Sequence, residues 1–193
     1  MPTPLNEILE NLGPLTKLAG TWEGDKGDDT APSNDRGTEK NLFRERIAFE
    51  PFGPVDNHEQ KLWGLRFTKV AWRLGEDDAF HEASGYWLWD PKAQQALCTF
   101  IVPRGVTVLA GATVDADATK FQLDAKCGSE TYGICSNLFL DREFKTVAYS
   151  VKIDLSVPDT LYYEELTELQ MKGRPNLFQH LDKNVLKLVS RPT

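Results

Sequence analysis

Imidazole is the most versatile group this sequence offers, and it occurs three times, at His58, His81 and His180. His180 lies near the C-terminus in "RPNLFQHLDKNVLKLV", residues 174–189, between a loop-like Arg-Pro-Asn and an apolar run. An imidazole flanked by Leu177, Phe178 and Leu181 suits a metal ligand with apolar walls, and it equally suits an inert, hydrogen-bonded core histidine. His81 lies in "FHEASGYWLWD". A zinc-protease helix would need a second histidine four residues on, where Gly85 stands, and the segment alternates like a strand; that chemistry is excluded. His81 alone reads either as a strand residue with its ring hydrogen-bonded or facing solvent, or as a pocket residue. His58 follows the turn-like "FGPVDN".

Other reactive groups form no constellation. Pro103-Arg104-Gly105 joins two apolar runs in "IVPRGVTVLAG". Arg104 is either an exposed hairpin residue or, if the turn faces a cavity, a fork of donors for an anionic head group. There is no nucleophile elbow, no phosphate loop and no carboxylate pair singled out by spacing. Cys98, Cys127 and Cys135 include no C-x-x-C unit and read as reduced thiols. Any chemistry here is expected to come from a bound cofactor.

The elements that must position these groups are strands. In "NLFRERIAFEPF", Phe43, Glu45, Ile47 and Phe49 share one face while Leu42, Arg44, Arg46 and Ala48 share the other. "QKLWGLRFTKVAWRL" places Trp63, Leu65 and Phe67 together. Further short runs follow, from "SGYWLWD" through "SNLFLD" to "LYYEELTELQM", separated by turns such as "GEDD", "DPKAQQ" and "DADAT". Many similar strands at close spacing predict an all-β fold, a sandwich or an up-and-down barrel. "PLNEILENLG" predicts a short N-terminal helix stopped at Gly13-Pro14. "GDKGDDTAPSNDRGTEKN", residues 24–41, has no period and reads as a mobile polar loop.

A length of 193 residues fits one domain with a substantial core. A net charge of −7 argues against nucleic acid as a partner. No run approaches the roughly 20 apolar residues of a membrane span, and no signal peptide is legible at the N-terminus, so a cytoplasmic location is expected and no membrane partner. The oligomeric state, a homodimer included, stays open.

Taken in order, "GTWEG", "FRERIAFEPFG", "FHEASGYWLW" and the ending Met171–loop–"FQHL" resemble the nitrobindin family. The resemblance runs from about residue 12 to about residue 189 and implies a single calycin-like antiparallel β-barrel of about ten strands, related in shape to fatty-acid-binding proteins. It implies haem b at the open mouth, with iron held by His180, His81 on the pocket side and Met171 as a pocket wall. Phe178 would add apolar wall, and Asp182 or a backbone carbonyl would accept the ring's other N–H. The activity so implied is nitric oxide and peroxynitrite chemistry, of the peroxynitrite isomerase type. Gly20-x-Trp22 would plug the closed end, a structural role. "FIVPRGVTVLAG" departs from the family, placing Pro103 and Arg104 beside the expected pocket. Two alternatives stand beside haem: a carrier of a small amphipathic carboxylate held by Arg104, and an interaction protein with a filled barrel.

Overall fold

Alternation of apolar and polar residues lets each strand cover a core with one face, and here the strands carry that face around a full circle. In the computed structural model, which describes residues 2–193, the strands are β1 (Gly20–Pro32), β2 (Thr38–Asp56), β3 (Lys61–Arg73), β4 (Ala79–Asp90), β5 (Gln95–Val102), β6 (Val106–Thr113), β7 (Lys120–Lys126), β8 (Ile134–Ser136), β9 (Phe144–Asp154), β10 (Thr160–Met171) and β11 (Phe178–Ser190). All neighbours are antiparallel. The order β5-β4-β3-β2-β1-β11-β10-β9-β7-β6 closes through β5–β6 into a ten-stranded barrel, with short β8 appended to β6. Closure removes the exposed edges an open sheet would present. No helix among the described residues is long and apolar enough to cross a membrane.

One end is plugged. The predicted helix α1 (Leu5–Glu10) leads into a 3-10 segment, Gly13–Leu18, that buries Leu15 and Leu18 completely. Trp22 is equally buried and donates from its indole to the Leu18 carbonyl at 2.7 Å, which ties β1 to the plug. Gly13 has φ +54°, and a Cβ there would lie 2.5 Å from the Trp89 indole; only glycine lets the chain turn this close.

The other end is the mouth, built from the β1–β2 turn, the Pro103–Gly105 turn and a second helix. Two expectations are corrected here. Residues 24–41 are not a loop: β1 runs to Pro32 and β2 starts at Thr38, leaving only Ser33–Gly37 as the turn. The strands there are polar because they extend past the core, and polarity hid their period. "SNLFLD" is not a strand but leads into helix α2 (Leu138–Glu143), started by Asn137, whose side chain accepts from the backbone N–H groups of Phe139 and Leu140. Arg36, at the tip of the β1–β2 turn, clasps α2 through a 2.8 Å ion pair with Glu143.

Candidate functional site

The barrel is not filled. A cavity of about 480 Å³ runs inward from the mouth, a size within the usual range for small-molecule sites. Its depth is aromatic: Phe49 and Phe67 stack with ring centres 5.6 Å apart, and Trp87 meets Phe49 edge-on at 6.1 Å. The "SGY" glycine makes this wall possible. A Cβ on Gly85 would lie 1.9 Å from the Thr99 carbonyl, so β4 approaches β5 only with hydrogen at that position.

A belt of charge crosses the middle. Lys69, 3 % exposed, reaches Glu165 at 2.9 Å, Asp182 at 3.2 Å and Glu45 at 3.6 Å. Tyr149 donates to Glu165 at 2.9 Å, and Tyr163 and Asn184 each donate to Glu45 at 2.8 Å. Burial opposes the Lys69 charge, but the facing carboxylates outweigh it and hold its pKa well above the ordinary lysine value. For Glu45 burial wins, and its pKa is raised despite Lys69, Tyr163 and Asn184. Lys69 and Glu45 escaped selection as site residues. Alternation carried a signal for both: Glu45 shares a face with Phe43 and Ile47, and Lys69 lies two beyond Phe67 on the inward side of β3.

Nearer the mouth the two cavity histidines differ. His180, on β11, lines the cavity with its side chain 35 % exposed, and its Nε2 lies 2.9 Å from Asp29 Oδ1. Burial depresses the His180 pKa, but the Asp29 hydrogen bond and the surrounding carboxylates more than reverse this, so it is raised. Burial would raise the Asp29 carboxyl; bonds from His180 and Asn41 and the imidazole charge hold it below the usual range instead. His81 lines the cavity from β4, where its backbone pairs with Ala71, and its ring makes no hydrogen bond among the described residues. Burial and the nearby Lys69 charge lower its pKa to about 4, so the ring is neutral at pH 7. A register shift opposite Ala71–Trp72 lets the adjacent Phe80 line the cavity as well.

The remaining expected residues divide. Arg104 lines the cavity at its rim, is exposed, and has no ion pair among the described residues. Met171 and Phe178 do not line it. Met171 is fully buried with Phe178 and Leu169 in a separate small cluster packed on Phe144. Phe178 shares the inward face of β11 with His180, but at the strand's mouth end, where Leu169 and Met171 cover it. Asp182, expected beside a backbone carbonyl as acceptor for the ring's other N–H, instead faces Lys69, and the bond the ring makes runs from Nε2 to Asp29. Asp29 sits within the stretch that reads as a loop, so no sequence signal pointed to it.

Over residues 11–187 the chain matches the family model described as THAP4-like, heme-binding beta-barrel domain. Among solved structures, the crystal structure of Rv2717c from M. tuberculosis superposes with a TM-score of 0.64 at 20 % identity, covering 95 % of this chain and 98 % of that one. At that identity the likeness is one of fold. No curated protein matches the chain. Because the family match extends from the N-terminal plug into the last strand, the chain belongs to the THAP4-like, heme-binding β-barrel domains, the nitrobindin family that its motif order resembles.

Proposed function

We propose that the barrel binds haem b, with His180 as the iron's protein ligand. The observation that carries this is an imidazole in the wall of an aromatic-lined cavity, in a chain of a haem-binding family. The residues present fit the group in kind: Phe49, Phe67 and Trp87 offer apolar surface, and Arg104 and Arg73 stand at the rim, where a porphyrin's carboxylates would seek donors. Neutral His81 can give or accept one hydrogen bond to a molecule in the cavity, and the Lys69 belt holds charge in fixed places in the wall. Bound haem would supply nitric oxide and peroxynitrite chemistry at ferric iron, and an isomerase-type activity is proposed on that basis. Hemin added to the purified apo-protein is expected to give a sharp Soret band saturating at one-to-one stoichiometry. A broad, non-saturating band would sink the reading.

Arg104 favours a second reading, a carrier for an amphipathic carboxylate. Arg104 lines the rim without an ion pair among the described residues, while the middle of the cavity already holds three carboxylates around Lys69. A carboxylate head would therefore sit at the rim with its tail inward. Fatty-acid binding measured by calorimetry should weaken in Arg104→Ala by about 1.5 kcal/mol, the low end for a charge-assisted hydrogen bond because the site is open to solvent. Unchanged affinity returns Arg104 to the status of a turn residue.

A further inference from the structure

We infer that Asp29 competes with haem iron for His180: its carboxylate holds the ring nitrogen the iron needs, and must release it before the iron is bound. This rests on the haem reading above. His180 Nε2 lies 2.9 Å from Asp29 Oδ1, a hydrogen bond of normal length. That nitrogen has one position for a partner, so a proton shared with Asp29 and a bond to iron exclude each other. The other ring nitrogen is no equal substitute. Nδ1 adjoins the carbon that carries Cβ, so a porphyrin bonded there would crowd the side chain's own stem and the β11 backbone.

In the usual arrangement a carboxylate accepts the N–H of the nitrogen that does not hold the metal, and so orients the ligand. Asp29 takes the outer nitrogen instead. It opposes ligation rather than supporting it.

Asp29 is also poorly placed to follow the ring. It is 4 % exposed, and its backbone is paired on both sides, with Asn41 of β2 and Asp182 of β11. Its second oxygen accepts from Asn41 Nδ2 at 2.9 Å, and Asn41 Oδ1 in turn accepts from Arg73 Nε at 3.0 Å. A chain of hydrogen bonds from the rim thus anchors the carboxylate. Once His180 turns to iron, Asp29 Oδ1 is left without its donor in a buried place, and that cost falls on haem binding. Lys69 is already committed to Glu165, Asp182 and Glu45.

Hemin titrations of the apo-protein, read at the Soret band, test the competition. Asp29→Asn keeps the shape and the Asn41 contact but removes the charge, and it should bind hemin roughly ten- to a hundredfold more tightly than the unmodified protein. Removing a negative charge could favour an anionic porphyrin anywhere in the cavity, so the same replacement is made in a His180→Ala background, where it should change nothing. Asp29→Ser serves as a second variant, and a cooperative melt confirms that each protein is folded. Unchanged or weaker binding in folded Asp29→Asn and Asp29→Ser, with His180→Ala still defective, overturns the competition alone. An equal gain in both backgrounds assigns the effect to charge and also overturns it. Hemin binding in His180→Ala as tight as in the unmodified protein overturns the haem reading together with the competition.

Discussion

Replacing His180 by alanine is expected to weaken hemin binding by more than about a hundredfold, beyond the range that loss of a mere supporting contact produces. The sharp Soret band of a single coordinated species should give way to a broad one, because the remaining porphyrin contacts are apolar and do not define the iron's environment. The contrast with the other histidines makes the result specific. His81 lines the cavity without bonding iron in this reading, so His81→Ala should keep one-to-one binding and shift only the position of the band. His58 is exposed in the turn between β2 and β3, and His58→Ala should change nothing. If the unmodified protein takes up hemin no better than His180→Ala, then His180 is the hydrogen-bonded partner of Asp29 and no more, and the Arg104 reading stands in its place.

Lys69→Met carries the largest expected effect on stability. Lys69 is the one cation inside the belt, facing Glu45, Glu165 and Asp182. Methionine fills a similar volume but leaves three carboxylates together without a countercharge, and breaking a buried ionic cluster in this way costs about 3–5 kcal/mol. Urea denaturation at pH 7 measures it. The pH dependence follows from the shift at Lys69. A lysine whose folded-state pKa is raised contributes fully below its unfolded value of 10.5 and loses that contribution only as pH rises through the higher folded value. At the acid end Glu45 decides: burial raises its carboxyl above the ordinary value, so it takes up a proton early as pH falls and removes one of the charges that face Lys69. The deficit of the variant should therefore be larger above pH 7 than in acid, and shrink as Glu45 is protonated. A deficit under about 1 kcal/mol at pH 7 would mean that the cluster relaxes or admits water, and that Lys69 is not what holds the belt together.

The all-β pattern was legible because its cause is local, while the choice of a barrel over a sandwich came only with the family resemblance. Inward residues recur every second position in β2, β3 and β4, and the pattern survives even where the inward residue is charged, as at Glu45 and Lys69. Turn residues marked most strand ends, and Gly13-Pro14 marked the end of α1. Where the pattern failed, the reason was equally local. The outer halves of β1 and β2 extend beyond the core, so their residues alternate between rim and solvent rather than between apolar and polar, and a strand there looks like a loop. Asn137 outweighed the apolar run after it, since a capped first turn is enough to start a two-turn helix.

What the sequence by itself determined is the strand pattern, the tryptophan of the Gly20-x-Trp22 segment and the presence of His81 on a strand. Which groups share the cavity was decided only by closure of the sheet. Asp29 and His180 are 151 positions apart and meet because β1 and β11 become neighbours when the barrel closes. Lys69 meets Asp182 across 113 positions and Glu165 across 96 for the same reason. Strand period tells which side a residue faces, but not which strand stands opposite it or how far along. Met171 and Phe178 show the second limit: both point inward, yet at the mouth end they are covered by each other and by Leu169, because depth along the barrel, set by register, separates a packed cluster from an open cavity.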